Sequence, residues 1–511
     1  MIRERKNCML LNELMKVVEY TEIINRTGID PDVTEIGDIC CDSRKVSGGS
    51  VFVCISGSVN DGHDHAWGAY GHGCRVFVIE HKIKLPEDSF VIMVKDTRKA
   101  LASLSAAFYG YPAREMTIIG ITGTKGKTTS SIMIYNVLMS NGIPTGYIGS
   151  NGIYFDGREL PTINTTPESI DLHRYMREML DAGVRTLVME VSSQALKLAR
   201  VHGIKFATCV FTNLSPDHIG EHEHADFDEY KECKHSLFTD YGADYVVYNA
   251  DDEHARDVIS GNPCKKASIS LANGADLYSK DLEYFRTSGC VGVEFTCIRG
   301  DEELRVSVPF PGEFSVYNAL TAIAVCTELG LTAADVVNAL ADIRVRGRFE
   351  TYELPHGAMA VIDYAHNGVS LKAALQALRT YEPKRLICLF GSVGGRTKIR
   401  RAELGLVASR DADFCILTSD NPDNESPLGI ISEIAVYFTS GTCPYIAIPD
   451  RREAIEYALN NSEKGDIILL AGKGHEGYQM IKGKRERFSE AEIIREFCEK
   501  KQECGDAFVA F

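Results

Sequence analysis

The chain has 511 residues, 44% of them apolar and 25% charged, and a net charge of −16. That length makes about three or four domains of ordinary size, and the composition excludes a disordered or fibrous protein. The acidic balance excludes nucleic-acid binding driven by counterion release, and no run approaches the ~18 apolar residues of a membrane span.

The opening MIRERKNCMLLNELMKVVEY is basic at its start, but Asn12, Glu13 and Lys16 break its apolar run. It reads as an amphipathic helix rather than a signal peptide. Apolar runs at 50–57, 74–80 and 89–96 read as short strands between turns. From Met116 onward strands alternate with helical segments, and the runs at 184–193, 206–215 and 244–252 end in polar residues. This is the pattern of a largely parallel, doubly wound sheet, whose ligands gather at the carboxyl ends of the strands. A helix over 335–342 precedes a boundary near Arg344, and strands at 358–366, 385–395, 413–422 and 466–476 build a further α/β pattern. A helix from Ser489 closes the chain. The expected fold is α/β in three domains: a small N-terminal α/β domain over 1–112, a central P-loop doubly wound domain over 113–343, and a Rossmann-like C-terminal domain over 344–511. Sixteen cysteines without a C-x-x-C read as buried or free thiols in a reducing cytosol, so the expected location is cytoplasmic.

The segment 120–130, GITGTKGKTTS, joins a β-branched strand to a helix start. Backbone N–H groups and the helix dipole there suit a polyphosphate, Lys127 reaches its outer phosphates and Thr128 suits Mg²⁺. The spacing is not the strict Walker one, since Ile121 stands five positions before Gly126. Glu190 closes the strand over 184–193, and Asp217 and His218 follow the next one; a carboxylate and an imidazole near a triphosphate suit a hard cation. Glu190 also reads as a plain strand end or helix cap, and His218 as a merely hydrogen-bonded histidine. Lys234, in YKECKHSLF, reads by itself as a surface lysine. NTTPES at 164–169 is a polar helix start that suits an anion or serves only as a cap. GGRTKIRR at 394–401 gathers Arg396, Lys398, Arg400 and Arg401 after a strand, an anion-binding cluster or a solvated helix start. DNPD at 420–423 and GKGHE at 472–476 follow strands and lie on the ligand edge.

These motifs, with DSRKVSGGSVFV and DGHDH near the start, TGTKGKTT, MEVSSQAL, TNLSPDH and PGEFSVYNALTAIA in the middle, and GRFE, DYAH, FGSVGGRTK, TSDNP and AGKGHE later, resemble the Mur ligase family over nearly the whole chain. DSR, TSDNP and AGKGHE are similar to the members that add the third amino acid of the peptide. The resemblance implies three domains that bind, in order, a UDP sugar, ATP and an amino acid. It implies that ATP converts the carboxylate of UDP-N-acetylmuramoyl-L-alanyl-D-glutamate to an acyl phosphate, which the amine of the amino acid then attacks. Mg²⁺ is the implied metal. The partners are small molecules, with no nucleic acid and no membrane insertion, and the chain is expected to be a monomer.

Residue by residue, the resemblance assigns Gly123, Thr124, Lys125, Gly126, Lys127, Thr128 and Thr129 to ATP phosphates, and Asn318, Arg348, Asp363 and His366 to the nucleotide side. Glu190 and His218 match metal ligands, and Lys234 matches a lysine carried as a carbamate that bridges to magnesium. Ser43, Thr165, Thr166, Ser192 and Arg200 match the UDP-sugar peptide site. Arg396, Asp420, Asn421, Pro422, Asp423, Gly472 and Glu476 match the amino-acid pocket.

The chain departs from the family pattern at Arg346 before GRFE, at Gln194, and in FGSVGGRTK, which lacks the acidic residues around Arg396. Where diaminopimelate-adding members carry DNPR, this chain has Asp423. A carboxylate there repels a second carboxylate, so the expectation is L-lysine or another diamino acid rather than meso-diaminopimelate. Two further readings compete: a related amide ligase of the folylpolyglutamate- or cyanophycin-synthetase kind, and a non-catalytic nucleotide-binding paralogue. The DSR and NTTPE motifs oppose the first; Lys127, Glu190, His218 and Lys234 together oppose the second.

Overall fold

A computed structural model describes residues 8–506 except 27, 58–59, 221–222, 288, 396–397 and 439–442. It divides into two compact units, Met1–Leu277 with Thr321–Leu331, and Tyr278–Leu320 with Thr332–Phe511.

The first unit begins with a five-stranded sheet in the order Tyr20–Asn25, Phe90–Val94, Val76–Ile79, Ser50–Val53, Asp38–Cys40. The first pair is antiparallel and the others parallel. Side chains alternate across a strand, so Val51, Val53, Val76 and Val78 enter one core and Phe52, Phe77 and Ile79 another. Both faces are therefore covered. The helix Thr97–Phe108, capped by Asp96, lays Leu101 and Leu104 on the first of these cores. The expected amphipathic helix at the start shrinks to Leu11–Met15. Met9–Leu10 pairs with Glu35–Ile36, and the β-branched run after Tyr20 joins the edge of the sheet instead. Residues 1–7 lie outside the description.

The second sheet of this unit runs Arg158–Leu160, Gly152–Phe155, Thr145–Gly149, Thr186–Glu190, Thr117–Thr122, Phe206–Phe211, Ala243–Asn249, Lys265–Ser270. From Thr145–Gly149 onward every pairing is parallel, while the two leading strands are antiparallel. The sheet is thus mixed, with a parallel body. Thr117–Thr122 lies between Thr186–Glu190 and Phe206–Phe211, with Glu190 opposite Ile121 and Phe211 opposite Thr122. That register brings three strand ends level at the glycine-rich loop. Gly120 has no side chain because a Cβ there would lie 2.7 Å from the Phe206 ring.

In the second unit, Val291–Arg299 pairs antiparallel with Glu302–Val308, strands that the helix–strand alternation does not foreshadow. The helix Ala333–Leu340 starts two residues before the expected point because Thr332 caps it, accepting from Asp335 N–H. The final sheet runs Glu350–Glu353, Met359–Asp363, Ile467–Ala471, Leu386–Phe390, Phe414–Leu417, Tyr445–Ala447, antiparallel only at its first pair. Ile468, Leu389 and Ile416 pack with Ile455, Leu459 and Ile494 from the covering helices, each fully buried aliphatic side chain contributing about 1.5–3 kcal/mol. The closing helix is Glu490–Asp506. The cysteines whose side chains are described are free thiols. Among the described residues no helix is long and apolar enough to cross a membrane.

Candidate active site

Gly123 and Gly126 adopt φ of +147° and +84°, values that disfavour any side chain. A Cβ on Gly123 would also stand 1.9 Å from Thr212 Oγ1. The loop is tied to the segment after Phe206–Phe211: Thr124 N–H donates to Asn213 O (2.8 Å), Lys125 N–H to Asn213 Oδ1 (2.9 Å), and Thr212 Oγ1 to Lys125 O (2.7 Å). Lys125 Nζ lies 3.1 Å from Asp217 Oδ2, which helps hold that carboxyl below its usual range against the opposing effect of burial. Lys127 opens the helix Lys127–Ser140 and donates to the Gly123 and Thr124 carbonyls at 2.7 and 3.0 Å. Thr129 is half-buried in the same first turn.

Glu190 is fully buried. Its Oε2 accepts from Thr128 Oγ1 (2.9 Å), and its Oε1 from Tyr147 hydroxyl (2.8 Å) and Ser150 N–H (2.8 Å). These donors answer the cost of burying a carboxylate. Burial and Glu190 itself push the Tyr147 hydroxyl well above its ordinary pKa, so it remains a donor. A Cβ on Gly149 would come within 2.3 Å of Glu190 Oε1. Thr128 and Glu190 form an all-oxygen pair beside a phosphate-type loop, a donor set that fits Mg²⁺.

Lys234 is buried, not a surface lysine. The helix Phe227–Thr239, capped by Asp226, carries its Nζ to 2.9 Å from Gly123 O and 4.4 Å from the centre of the Tyr230 ring. Burial first, then the charge of Lys127, hold its pKa well below the usual lysine value. Lys127 and Lys234 thus converge on one carbonyl. Tyr230 hydroxyl, 3.1 Å from Thr124 Oγ1, joins this helix to the loop. His218 is exposed, with φ +56°, and faces Glu223 (3.3 Å) and the Tyr230 ring rather than Thr128 or Glu190.

The residues matched to the UDP-sugar peptide divide. Thr166, fully buried, donates to Glu190 O (2.8 Å) and accepts from Ser192 N–H (3.1 Å); Ser192 caps the helix Ser193–Lys197. Arg200 donates to Glu168 (2.7 Å) and to Thr166 O (3.1 Å), and Thr165 Oγ1 lies 3.0 Å from Ser150 Oγ. These four surround the end of the Thr186–Glu190 strand. Ser43 lies apart in the turn after Asp38–Cys40, its carbonyl 2.9 Å from His72 Nδ1.

In the second unit, Arg348, Asp363 and His366 gather around Tyr364. The Arg348 guanidinium is 4.9 Å from the Tyr364 ring centre, and the His366 and His475 rings are at 4.7 and 5.0 Å. Asp363 accepts from Phe349 N–H at 3.0 Å, and burial raises its pKa against the pull of Arg348. Gly347, φ +68°, lets this turn lie against His475, since a Cβ would stand 2.0 Å from His475 N. Asn318 is buried on the helix Phe314–Glu328.

Asp420, Asn421, Gly472 and Glu476 come together where two strands end. Lys473, fully buried and not singled out by the sequence reading, donates to Asn421 Oδ1 (2.9 Å) and Glu476 Oε2 (2.7 Å) and lies 3.5 Å from Asp420. Asn421 Nδ2 donates to Glu476 Oε2 at 2.9 Å. The lysine inside GKGHE was its signal. Pro422 packs its carbonyl against Gly394, where a Cβ would stand 2.0 Å away. Arg396 lies outside the described residues. Arg401 is buried between Glu425 and Glu433, 2.8 Å from each, and Glu425 also accepts from Gly395 N–H.

Three family models match the chain: Mur ligase family, catalytic domain, over 35–109; Mur ligase middle domain over 121–326; and Mur ligase, glutamate ligase domain, over 347–474. The UDP-N-acetylmuramoyl-L-alanyl-D-glutamate–2,6-diaminopimelate ligase of Caldanaerobacter subterraneus subsp. tengcongensis is 39% identical over 488 residues, 96% of this chain and 98% of that protein. The protein of the same name from Clostridium perfringens is 34% identical, over 96% of this chain and 100% of its own. A solved structure of a 2,6-diaminopimelate ligase of this name superposes with a TM-score of 0.68 at 26% identity, covering 97% and 99% of the two chains.

These relatives overturn the expectation that the chain turns away from diaminopimelate. The physical reason lies at Asp423, a non-glycine residue at φ +50°. Its carboxylate accepts from Gly483 N–H (2.7 Å) and Asn424 Nδ2 (3.2 Å), and its N–H donates to Met480 O (2.9 Å). The carboxylate is thus engaged by Asn424 and by the turn of the hairpin of Tyr478–Ile481 and Lys484–Arg487, so its charge is a poor guide to the acceptor. Matched along its length by family models and by relatives of nearly equal extent, the chain belongs to the Mur ligase family and is a ligase of that family.

Proposed function

We propose that the chain joins 2,6-diaminopimelate to UDP-N-acetylmuramoyl-L-alanyl-D-glutamate at the expense of ATP. The observation that carries the reaction class is the convergence of Lys127 and Lys234 on Gly123 O beside the Thr128–Glu190 pair. The acceptor rests on the relatives named above. In this reading the segments 1–112, 113–343 and 344–511 serve the UDP sugar, ATP and the amino acid respectively.

A carboxylate is a poor electrophile. Its oxygen attacks the γ-phosphorus of ATP and ADP leaves. The amino acid's ammonium gives one proton to solvent, the free amine attacks the resulting acyl phosphate, and the amide forms as phosphate departs with the second proton from nitrogen. Little proton chemistry is required, so positioning and charge neutralisation supply the rate. The loop N–H groups and Lys127 hold the phosphates. Thr128 and Glu190 would hold Mg²⁺, which when bound offsets phosphate charge. Burial lowers the pKa of Lys234 and so favours its neutral amine, the form that adds CO₂: an N–C bond forms, one proton leaves, and the neutral amine becomes an anionic carbamate. The Asp420, Asn421, Lys473 and Glu476 cluster receives the amino acid.

The test is phosphate release with UDP-N-acetylmuramoyl-L-alanyl-D-glutamate, ATP and a panel of amino acids. Diaminopimelate should give the highest kcat/KM. Faster turnover with lysine, or none with any amino acid, would sink the reading.

A further inference from the structure

Arg451 is among the largest fully buried side chains of the described residues, and the proposed chemistry does not use it. It opens the helix Arg451–Asn461. Its Nη1 donates to Ser419 O at 3.0 Å, its Nη2 to Ala471 O at 2.9 Å, and its Nε to Glu490 Oε1 at 2.9 Å. Ser419 and Ala471 immediately precede Asp420 and Gly472. Those two residues touch: Gly472 has φ +112°, and a Cβ on it would stand 2.8 Å from Asp420 Oδ2.

The strands that lead to these residues, Phe414–Leu417 and Ile467–Ala471, are not neighbours, because Leu386–Phe390 runs between them. Once that middle strand stops at Phe390, no ladder hydrogen bond sets the distance between the outer two. The guanidinium spans the gap. A rigid planar fork with five donors can hold two carbonyls and a carboxylate at once, whereas an ammonium offers a point charge without that geometry. Glu490, the first residue of the last helix, neutralises the charge, and Nη2 lies 2.8 Å from it. A buried ion pair that only filled space would be replaceable by apolar side chains of like volume. The two carbonyl contacts give this one a geometric duty.

We infer that Arg451, held by Glu490, is a positioning residue that sets Asp420 against Gly472 and so fixes the seat of the incoming amino acid. The inference rests on reading Asp420, Asn421, Gly472 and Glu476 as the amino-acid pocket. It is tested on the full chain with Arg451→Lys and Glu490→Gln, measuring KM for each of the three substrates by phosphate release, alongside thermal melts. Arg451→Lys should raise KM for the amino acid about 10- to 100-fold and leave KM for ATP and the UDP sugar within about twofold. Glu490→Gln should move the same constant in the same direction and by less. Should Arg451→Lys melt below the assay temperature, Glu490→Gln carries the comparison alone. Equal rises in all three KM values, or a fall in kcat with every KM unchanged, would overturn the inference. If the wild-type enzyme prefers another acceptor, the assignment of diaminopimelate fails, and the same comparison with that acceptor decides Arg451.

Discussion

Lys234 combines two properties that pull in opposite directions. Burial disfavours its charged form, so the unfolded chain binds a proton that the folded chain does not, and stability falls as pH drops from the ordinary lysine pKa of about 10.4 toward the depressed one. Lys234→Met should therefore keep or raise the thermal midpoint while activity falls on the order of 10²–10³-fold, the loss typical of a buried electrostatic contributor; a large drop in the midpoint would show a structural role instead. His173 has the same sign. It is buried, its ring nitrogens have no partner, and its pKa is pushed down to about 4 by burial. Its contribution to stability is complete above the unfolded value near 6.5 and is lost as pH falls toward 4. Between about pH 7.5 and pH 5 that amounts to roughly 2 kcal/mol. Urea midpoints at the two pH values should differ less in His173→Leu than in the wild type.

The glycine-rich loop is where element geometry and ligand binding are inseparable. Gly123→Ala meets both a disfavoured φ and the Thr212 hydroxyl, a strain of about 1–3 kcal/mol or more. The variant should fold with a lower thermal midpoint and show no further shift on adding ATP, a result readable by differential scanning fluorimetry. A normal ATP shift would mean that the loop is not the phosphate site. Much of this element was legible from residues 117–140, because a β-branched strand, three glycines and a helical period are local signals. Lys234 was not legible, since a lysine in YKECKHSLF looks solvated until the helix Phe227–Thr239 is seated. Asp423 misled for a similar reason: its partner Gly483 is 60 residues away, and charge alone does not tell which group answers it. The first helix was overestimated because partners for the run after Tyr20 lie in Phe90–Val94.

At the scale of the molecule, a ligand that binds the folded chain stabilises it by mass action. ATP at about 100 times its Kd should add about 2.7 kcal/mol to the wild type and much less to Lys127→Met. If both respond alike, Lys127 is not a phosphate contact.

The motifs, the α/β class and the family were set by the sequence alone, because periodicity and glycine placement act over a few residues. Which polar groups face one another was decided only by the fold. Glu190 draws donors from Thr128, Tyr147 and Ser150, Lys473 binds Asn421 and Glu476, and Arg451 bridges Ser419 and Ala471. These contacts join chain segments brought together by parallel strand pairing, whose crossovers place neighbours in space far apart in sequence. Burial then lowers the pKa of Lys234 and of His173, and burial is a property of packing that no local run of residues encodes.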